Sequence, residues 1–278
     1  MDLLATIFAE ITPGILITLV VAGACIGVLA GIFGVGGGAV SVPVFFETFR
    51  AMGVADDVAM PLAVGTSLAM IAPTSIVSAM AHSKKGTVDI GILKTWAVPV
   101  FLGVIAGSYI ARFAEPVVFQ TVFVCVAGIN SFKMLFGNSG WKLRDTMPGR
   151  AVTALYGLIV GLLSALMGIG GGAISNLILT LNGKPIREAV STSAGVGVII
   201  ALPGAIGYVF AGWGKEGLPP DALGYVSLLA LVLTVPTTLL TTRLGVALAH
   251  KLPQNILGKL FGIFLAVVCV RFLFEIFG

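Results

Sequence analysis

Two glycine clusters form the most specific pattern in this chain. The first reads Gly34-Val35-Gly36-Gly37-Gly38 and the second Gly168-Ile169-Gly170-Gly171-Gly172, each after a long apolar run and before a shorter one. Glycine permits a sharp reversal and lets backbone N–H groups approach a ligand closely. A helix that starts just after such a break directs its free N–H groups and its positive dipole end at an anion. The pattern therefore predicts an anion site formed by Gly36, Gly37, Gly38, Gly170, Gly171 and Gly172.

Small polar side chains accompany both clusters. Ser41, Ser175 and Asn176 fall just inside the predicted short helices and would add hydrogen bonds to the same ligand. A second group lies near the start of the next long segment of each half, where hydroxyl groups would coordinate an oxyanion without a buried charge: Thr66, Ser67, Ser191, Thr192 and Ser193. Two structural alternatives stay open: glycines that only allow close packing, and hydroxyls that bond to the preceding turn or a neighbouring helix.

The sequence lacks the residue patterns that nucleotide binding, metal binding or catalysis would require. No Lys-Ser or Lys-Thr follows either glycine cluster, as a nucleotide phosphate loop requires. The cysteines at 25, 125 and 269 have no metal-ligand spacing and are interpreted as small buried hydrophobes. No zinc-protease motif, buried aspartate pair or serine–histidine pair indicates an enzyme. We therefore predict no catalytic residue, no metal and no cofactor.

The two clusters belong to an internal duplication. Residues 27–41 read GVLAGIFGVGGGAVS, and residues 161–175, which lie 134 positions later, read GLLSALMGIGGGAIS. The sequence Ala-Val-Gly-Thr-Ser at 63–67 recurs as Ala-Val-Ser-Thr-Ser at 189–193, and Asp89 pairs with Asp221. An ordered series of landmarks predicts two homologous repeats, at 1–137 and 150–278, joined by a polar linker at 138–149.

The composition assigns both repeats to a membrane. Hydrophobic residues make up 58% of the 278 residues and charged residues 10%, and the mean hydropathy is +1.09. Soluble domains carry about 25% charged residues. Segment lengths favour helices over barrel strands. The predicted segments are, in order, about 14–34, 39–49, 59–82, 88–112 and 116–136, then about 150–168, 173–182, 187–211, 221–248 and 253–276.

The distribution of lysine and arginine orients the repeats. If each half crossed four times, the positive residues would divide nine to seven between the two sides. If the chain reverses at each glycine cluster, they divide twelve to four, which gives the bias expected of a cytoplasmic face. We therefore predict inverted repeats, each a glycine-broken hairpin followed by three transmembrane helices, with both termini non-cytoplasmic. The count leaves open whether the hairpin spans fully or is re-entrant. The net charge of +4 indicates contacts with the lipid bilayer, not with nucleic acid.

The paired Gly-hydrophobic-Gly-Gly-Gly motifs, each followed by Ala-Val-Gly-Thr-Ser or Ala-Val-Ser-Thr-Ser, resemble those of the sulfite exporter TauE/SafE family of membrane transporters. The resemblance covers essentially the whole chain. It implies transport of small sulfur-containing anions such as sulfite or organosulfonates. The second half departs from the motif at Ser191, where the first half has Gly65.

The expected function is a secondary transporter, in the exporting direction, that holds a small anion at the glycine breaks and works by alternating access. Inverted repeats with broken helices near the midplane are a recurrent design of such carriers. The alternatives are an anion-selective channel and a carrier of small organic carboxylates. We expect a multi-pass protein of the cell inner membrane whose partners are its anionic substrate and lipid. A homo-oligomer stays open.

Overall fold

The computed structural model describes residues 12–33, 38–84, 88–137, 142–249 and 254–277. Ten helices occupy these ranges, and no strand is found in them. They are α1 (Pro13–Phe33), α2 (Gly38–Ala51), α3 (Asp56–Lys84), α4 (Ile90–Ala111), α5 (Pro116–Phe136), α6 (Arg150–Met167), α7 (Gly172–Leu181), α8 (Ile186–Ala211), α9 (Leu228–Ala249) and α10 (Gln254–Phe277). The all-helical prediction is confirmed, with five helices in each half.

Eight helices, all except α2 and α7, are long and apolar enough to cross a bilayer. Many of their large apolar side chains point outward, such as Val98, Phe210 and Val232, which are 65%, 64% and 69% exposed. An apolar exterior of this kind is stable in lipid but not in water. The predicted polytopic membrane protein is therefore confirmed.

The second arm of each hairpin is short. Helices α2 and α7 have 14 and 10 residues, and at about 1.5 Å per residue they are shorter than the roughly 30 Å hydrocarbon core. Ile15, near the start of α1, and Met52, just after α2, line the same cavity. The chain therefore reverses between these helices. In the second half, the backbone N–H of Leu143, ahead of α6, donates to the carbonyl of Leu181 at the end of α7, at 2.7 Å.

The halves pack against each other in a reciprocal pattern. Helix α1 lies along α9, and its equivalent α6 lies along α4; α3 pairs with α8, and α5 with α10. Glycines make the first two pairs close. A Cβ on Gly161 would lie 2.1 Å from the Val100 carbonyl oxygen, and one on Gly27 would lie 2.5 Å from the Thr238 carbonyl oxygen. A large interface therefore joins the two repeats along their whole length.

One predicted boundary is wrong. The segment expected to begin near residue 221 starts as a helix only at Leu228, and residues 212–227 form a loop that contains an isolated bridge between Ala222 and Ser227. The carboxylate of Asp221 accepts hydrogen bonds from the Ser227 hydroxyl, at 2.6 Å, and from the Leu229 N–H, at 3.0 Å. These bonds satisfy the start of α9, so Asp221 lies in a loop that caps the helix, outside the helix itself.

Candidate functional site

The starts of the two short helices meet between the middles of α3 and α8. A Cβ placed on Gly38, the first residue of α2, would lie 2.8 Å from the Cα of Ile169 and 3.2 Å from the nitrogen of Gly170. A Cβ on Gly168 would lie 3.0 Å from the Cα of Val64, and one on Gly197 would lie 3.0 Å from the Gly170 carbonyl oxygen. Only glycine permits approaches this close, which is the packing role of these residues.

The second break is a tight left-handed structure. Gly168 and Gly171 have φ values of +65° and +73°, a region that side chains rarely adopt. Gly168 ends α6, and Gly171 is the N-cap of α7. The N–H groups of Gly171 and Ser175 are satisfied by the carbonyls of Ile169, at 2.7 Å, and Gly171, at 2.8 Å. The N–H groups of residues 172 to 174, which complete the first turn of α7, have no acceptor within their own helix, as at any helix start.

Gly36 and Gly37 lie outside the described residues, so the first break is represented by Gly38. Here α2 begins in a fully enclosed position: Gly38, Ala39 and Val40 are all buried. At the second break, by contrast, Gly170, Gly172 and Ala173 are partly exposed. The two starts are thus close together but differ in how far they are covered.

Hydroxyl groups join the two halves at the breaks. The Ser67 hydroxyl donates to the Gly168 carbonyl at 2.7 Å, and the Oγ atoms of Ser41 and Ser67 are 2.5 Å apart. In the second half the Ser193 hydroxyl lies 2.6 Å from the Asn176 Oδ1 atom and 2.7 Å from the Ala189 carbonyl oxygen. The structure therefore groups Ser41 with Ser67 and Asn176 with Ser193, each pair joining a short helix to the long helix beside it.

The two motif threonines accept hydrogen bonds from the opposite repeat. Thr66 on α3 accepts the Ser227 N–H at 3.0 Å, and Thr192 on α8 accepts the Asp89 N–H at 2.9 Å. Both threonines are buried, and both bonds lie at the start of the other half's fourth helix. Each threonine therefore joins the two halves through a hydrogen bond to the backbone of the other half.

The two motifs differ at one position, which is Gly65 in the first half and Ser191 in the second, and a steric limit at Gly65 explains the difference. A Cβ on Gly65 would lie 2.1 Å from the Tyr225 carbonyl oxygen and 2.9 Å from the Tyr208 Cβ. The 212–227 loop therefore excludes a side chain at this position. Ser191, which is 2% exposed, is buried at the corresponding place on α8.

Sequence analysis missed Ser164, which lies one turn before the second break. Its hydroxyl is fully buried, and a Cβ on Gly171 would lie 3.6 Å from the Ser164 Oγ atom. The hydroxyls of Ser164 and Ser175 have no hydrogen-bond partner in the described part of the chain. The repeat alignment contains a signal for this residue, because Ser164 is the one position in the block where a polar side chain in the second half aligns with an apolar one, Ala30, in the first.

A cavity lies at each end of the bundle, at equivalent positions of the two repeats. One, of about 240 Å³, lies between the end of α2 and Asp221. The other, of about 520 Å³, lies between the end of α7 and Asp89 and contains Lys184 and Glu188. The Lys184 ammonium is 2.6 Å from the Asp89 carboxylate and 3.6 Å from that of Glu188. The larger cavity is therefore crossed by an ion pair between the repeats.

This ion pair perturbs both of its groups. Burial opposes ionisation of Asp89, but hydrogen bonds from Lys184 and from the backbone of Ile92 outweigh it and hold the pKa of the carboxyl below its ordinary value. The hydrogen bond to Asp89 raises the pKa of Lys184 above its ordinary value against the effect of burial. Both groups are therefore charged at neutral pH.

A second group of ion pairs lies at the opposite end of the bundle. Glu275 on α10 pairs with Arg50 and, at 2.9 Å, with Arg271, and it accepts a hydrogen bond from Gln120 at 3.0 Å. Within the described ranges no cluster of three or more His, Cys, Asp or Glu side chains has the geometry of a metal site. These ion pairs involve no residue of either glycine cluster.

A bundle of apolar helices with paired helix breaks in its interior defines the class of protein: a polytopic helical membrane transporter. The chain belongs to the sulfite exporter TauE/SafE family, whose model matches residues 19–272. This confirms the resemblance seen in the motifs.

The curated relatives support the same class. One from Haemophilus influenzae, named "Probable membrane transporter protein", is 33% identical over 262 residues, which are 92% of this chain and 97% of the relative. One from Methanocaldococcus jannaschii with the same description is 30% identical over 241 residues, 84% of this chain and 86% of the relative. No solved structure shows significant similarity to the chain. The relatives' names agree with the prediction of a transporter instead of an enzyme.

Proposed function

We propose that this protein is a secondary transporter that exports a small sulfur-containing anion, such as sulfite or an organosulfonate, across the cell inner membrane. The observation that carries the proposal is the meeting of two short-helix starts inside the bundle, where Gly38 contacts Ile169 and Gly170. Helix starts supply N–H donors and a partial positive charge without a cationic side chain. The family name supplies the sulfur-containing class of substrate.

The reciprocal helix packing supports alternating access between inverted repeats. Each half contains a reversing hairpin and three long helices. Because the hairpin returns to the side where it began and three crossings follow, the second half would begin on the opposite side of the membrane and have the opposite orientation. The two end cavities occupy equivalent positions in the repeats, so each would serve as the entrance from one side. The Asp89–Lys184 pair closes the larger one in this conformation. Export of an anion would gain about 2.3 kcal/mol per charge per 100 mV from an inside-negative potential.

Purified protein in liposomes tests the proposal. We expect labelled sulfite or methanesulfonate trapped inside to exchange for unlabelled anion outside, a counterflow that only a carrier shows. Large unitary currents in planar bilayers would instead establish the anion channel. Exchange of acetate or formate with no response to sulfite or sulfonate would establish the carboxylate carrier, and no anion flux of any kind would refute the proposal.

A variant of the second break tests the site. Gly171→Val should abolish counterflow, because a valine is strained at the left-handed φ and its Cβ would lie 2.3 Å from the Ile200 Cδ1 atom. Gly128→Val is the matched control, since nothing lies within 4 Å of a Cβ at Gly128. Size-exclusion chromatography in detergent shows whether each variant is folded. A folded Gly171→Val protein that retains counterflow would refute a site at the break.

A further inference from the structure

The donors of the first half-site are already in use. Each serine hydroxyl has one proton, and that of Ser67 goes to the Gly168 carbonyl. The Ser41 proton then goes to the Ser67 oxygen, at 2.5 Å, or to the Gly38 carbonyl, at 3.3 Å. The start of α2 is also buried. From Gly38 onward, the part that the structure describes, this half-site offers a ligand neither a free serine proton nor access in the conformation observed.

The second half-site has two unused donors. The hydroxyls of Ser164 and Ser175 are 0% exposed, and neither has a hydrogen-bond partner among the described residues. A buried hydroxyl without a partner is unfavourable, because it has given up its hydrogen bonds to water and gained none in return. Ser164 is directed at the N-cap of α7, as its 3.6 Å distance from a Cβ on Gly171 indicates. Residues 170, 172 and 173 beside them are partly exposed, so this helix start is less covered than that of α2.

The charge of the ligand is limited by what surrounds it. Lys, Arg, Asp, Glu and His are all absent from residues 11–46, 58–81, 151–183 and 189–214, which contain both breaks and the parts of α3 and α8 beside them. Lys133 of α5 bonds to Thr180, which is at the other end of α7 from the break. Neutral donors attract an ion in proportion to its charge, whereas the cost of removing an ion from water rises with the square of its charge. A doubly charged ion therefore loses about four times as much hydration energy as a singly charged one for twice the attraction.

We propose that the second break is the primary binding site, that Ser164 and Ser175 donate to the bound anion, and that the site selects singly charged oxyanions over doubly charged ones. This inference depends on the proposed function, which it refines. Hydrogensulfite and alkylsulfonates fit the selected class, and sulfate and the sulfite dianion do not. The two half-sites are then unequal: the second holds the ligand, and the first packs against it.

Methanesulfonate and sulfate provide a matched pair of ligands, since both are tetrahedral around sulfur and differ in charge. Binding to the purified full chain is measured by isothermal titration calorimetry at constant ionic strength. We expect sulfate to bind at least about 10-fold more weakly than methanesulfonate. Ser164→Ala and Ser175→Ala should each weaken methanesulfonate binding by about 10-fold or more, because hydrogen bonds to charged groups contribute about 1.5–3 kcal/mol.

Ser108→Ala is the control. Ser108 on α4 also has a buried hydroxyl without a partner, but it faces Gly207 on α8, away from the breaks. The Ser108→Ala variant should bind methanesulfonate with the affinity of the wild type. Equal or tighter binding of sulfate, or wild-type affinity in both serine variants, would overturn the inference while leaving the transporter intact. If the wild type binds neither anion nor sulfite, the proposed function itself is refuted.

Discussion

At the scale of single residues, the hydroxyl groups divide into two kinds. Thr66 accepts a hydrogen bond from the Ser227 N–H, and Thr192 accepts one from the Asp89 N–H, each from the opposite half. These bonds explain why both motifs contain a threonine, and no ligand contact is needed to explain it. Ser164 and Ser175 have no partner among the described residues and lie at the second break. A hydroxyl side chain thus serves assembly in one place and is proposed to bind the ligand in another, and only its hydrogen-bond partners distinguish the two roles.

Removing either threonine oxygen should destabilise the protein. Thr66→Val leaves the buried Ser227 N–H without its acceptor, and Thr192→Val does the same to the Asp89 N–H. The expected loss is about 1–3 kcal/mol for each variant, seen as a lower midpoint of thermal unfolding in detergent. Thr66→Ser and Thr192→Ser keep the oxygen and should unfold close to the wild type. Valine variants as stable as the wild type would show that these bonds contribute little.

At the scale of elements, small residues decide which helices pair. Gly161 on α6 faces the Val100 carbonyl of α4, and Gly27 on α1 faces the backbone of Thr238 on α9. Membrane helices gain no hydrophobic drive from association, so close backbone packing has to supply it. The same kind of glycine contact in both places explains why α1 packs on α9 in the way that α6 packs on α4.

Gly161→Leu should separate α4 from α6. The Cβ would lie 2.1 Å from the Val100 carbonyl oxygen, a contact that backbone movement alone can relieve. Overpacking of this kind costs about 1–3 kcal/mol or more, and we expect a lower midpoint of thermal unfolding. Gly128→Leu, whose added Cβ has nothing within 4 Å, should be tolerated. Equal stability of the two variants would argue that this crossing does not hold the bundle together.

At the scale of the whole molecule, the ionic contacts separate into two groups at opposite ends. Lys184 with Asp89 belongs to one end, and Arg50 and Arg271 with Glu275 belong to the other. The twelve-to-four division of positive residues predicts that the first group lies on the cytoplasmic face. The 138–149 linker would lie on that face and the 212–227 loop on the other.

Cysteine labelling on intact cells tests this orientation. After Cys25, Cys125 and Cys269 are replaced by alanine, single cysteines are introduced at Leu143 and Trp213, which are 75% and 60% exposed. A membrane-impermeant maleimide should label Trp213→Cys in intact cells and Leu143→Cys only after permeabilisation. The reverse pattern would invert the topology, and labelling of both from the same side would exclude the predicted inversion.

The sequence by itself determined the helical membrane class and the family, because these depend on segment length, composition and local motifs. It also predicts the duplication and the inversion of the two halves. Tertiary structure alone decided the partners: that Thr66 and Thr192 bond across the two halves, that α9 begins at Leu228 after a loop held by Asp221, and that Ser164 has no partner among the described residues. The physical reason is that hydrogen bonding and burial join residues far apart in the chain, here by more than a hundred positions, and no local pattern records which groups will meet.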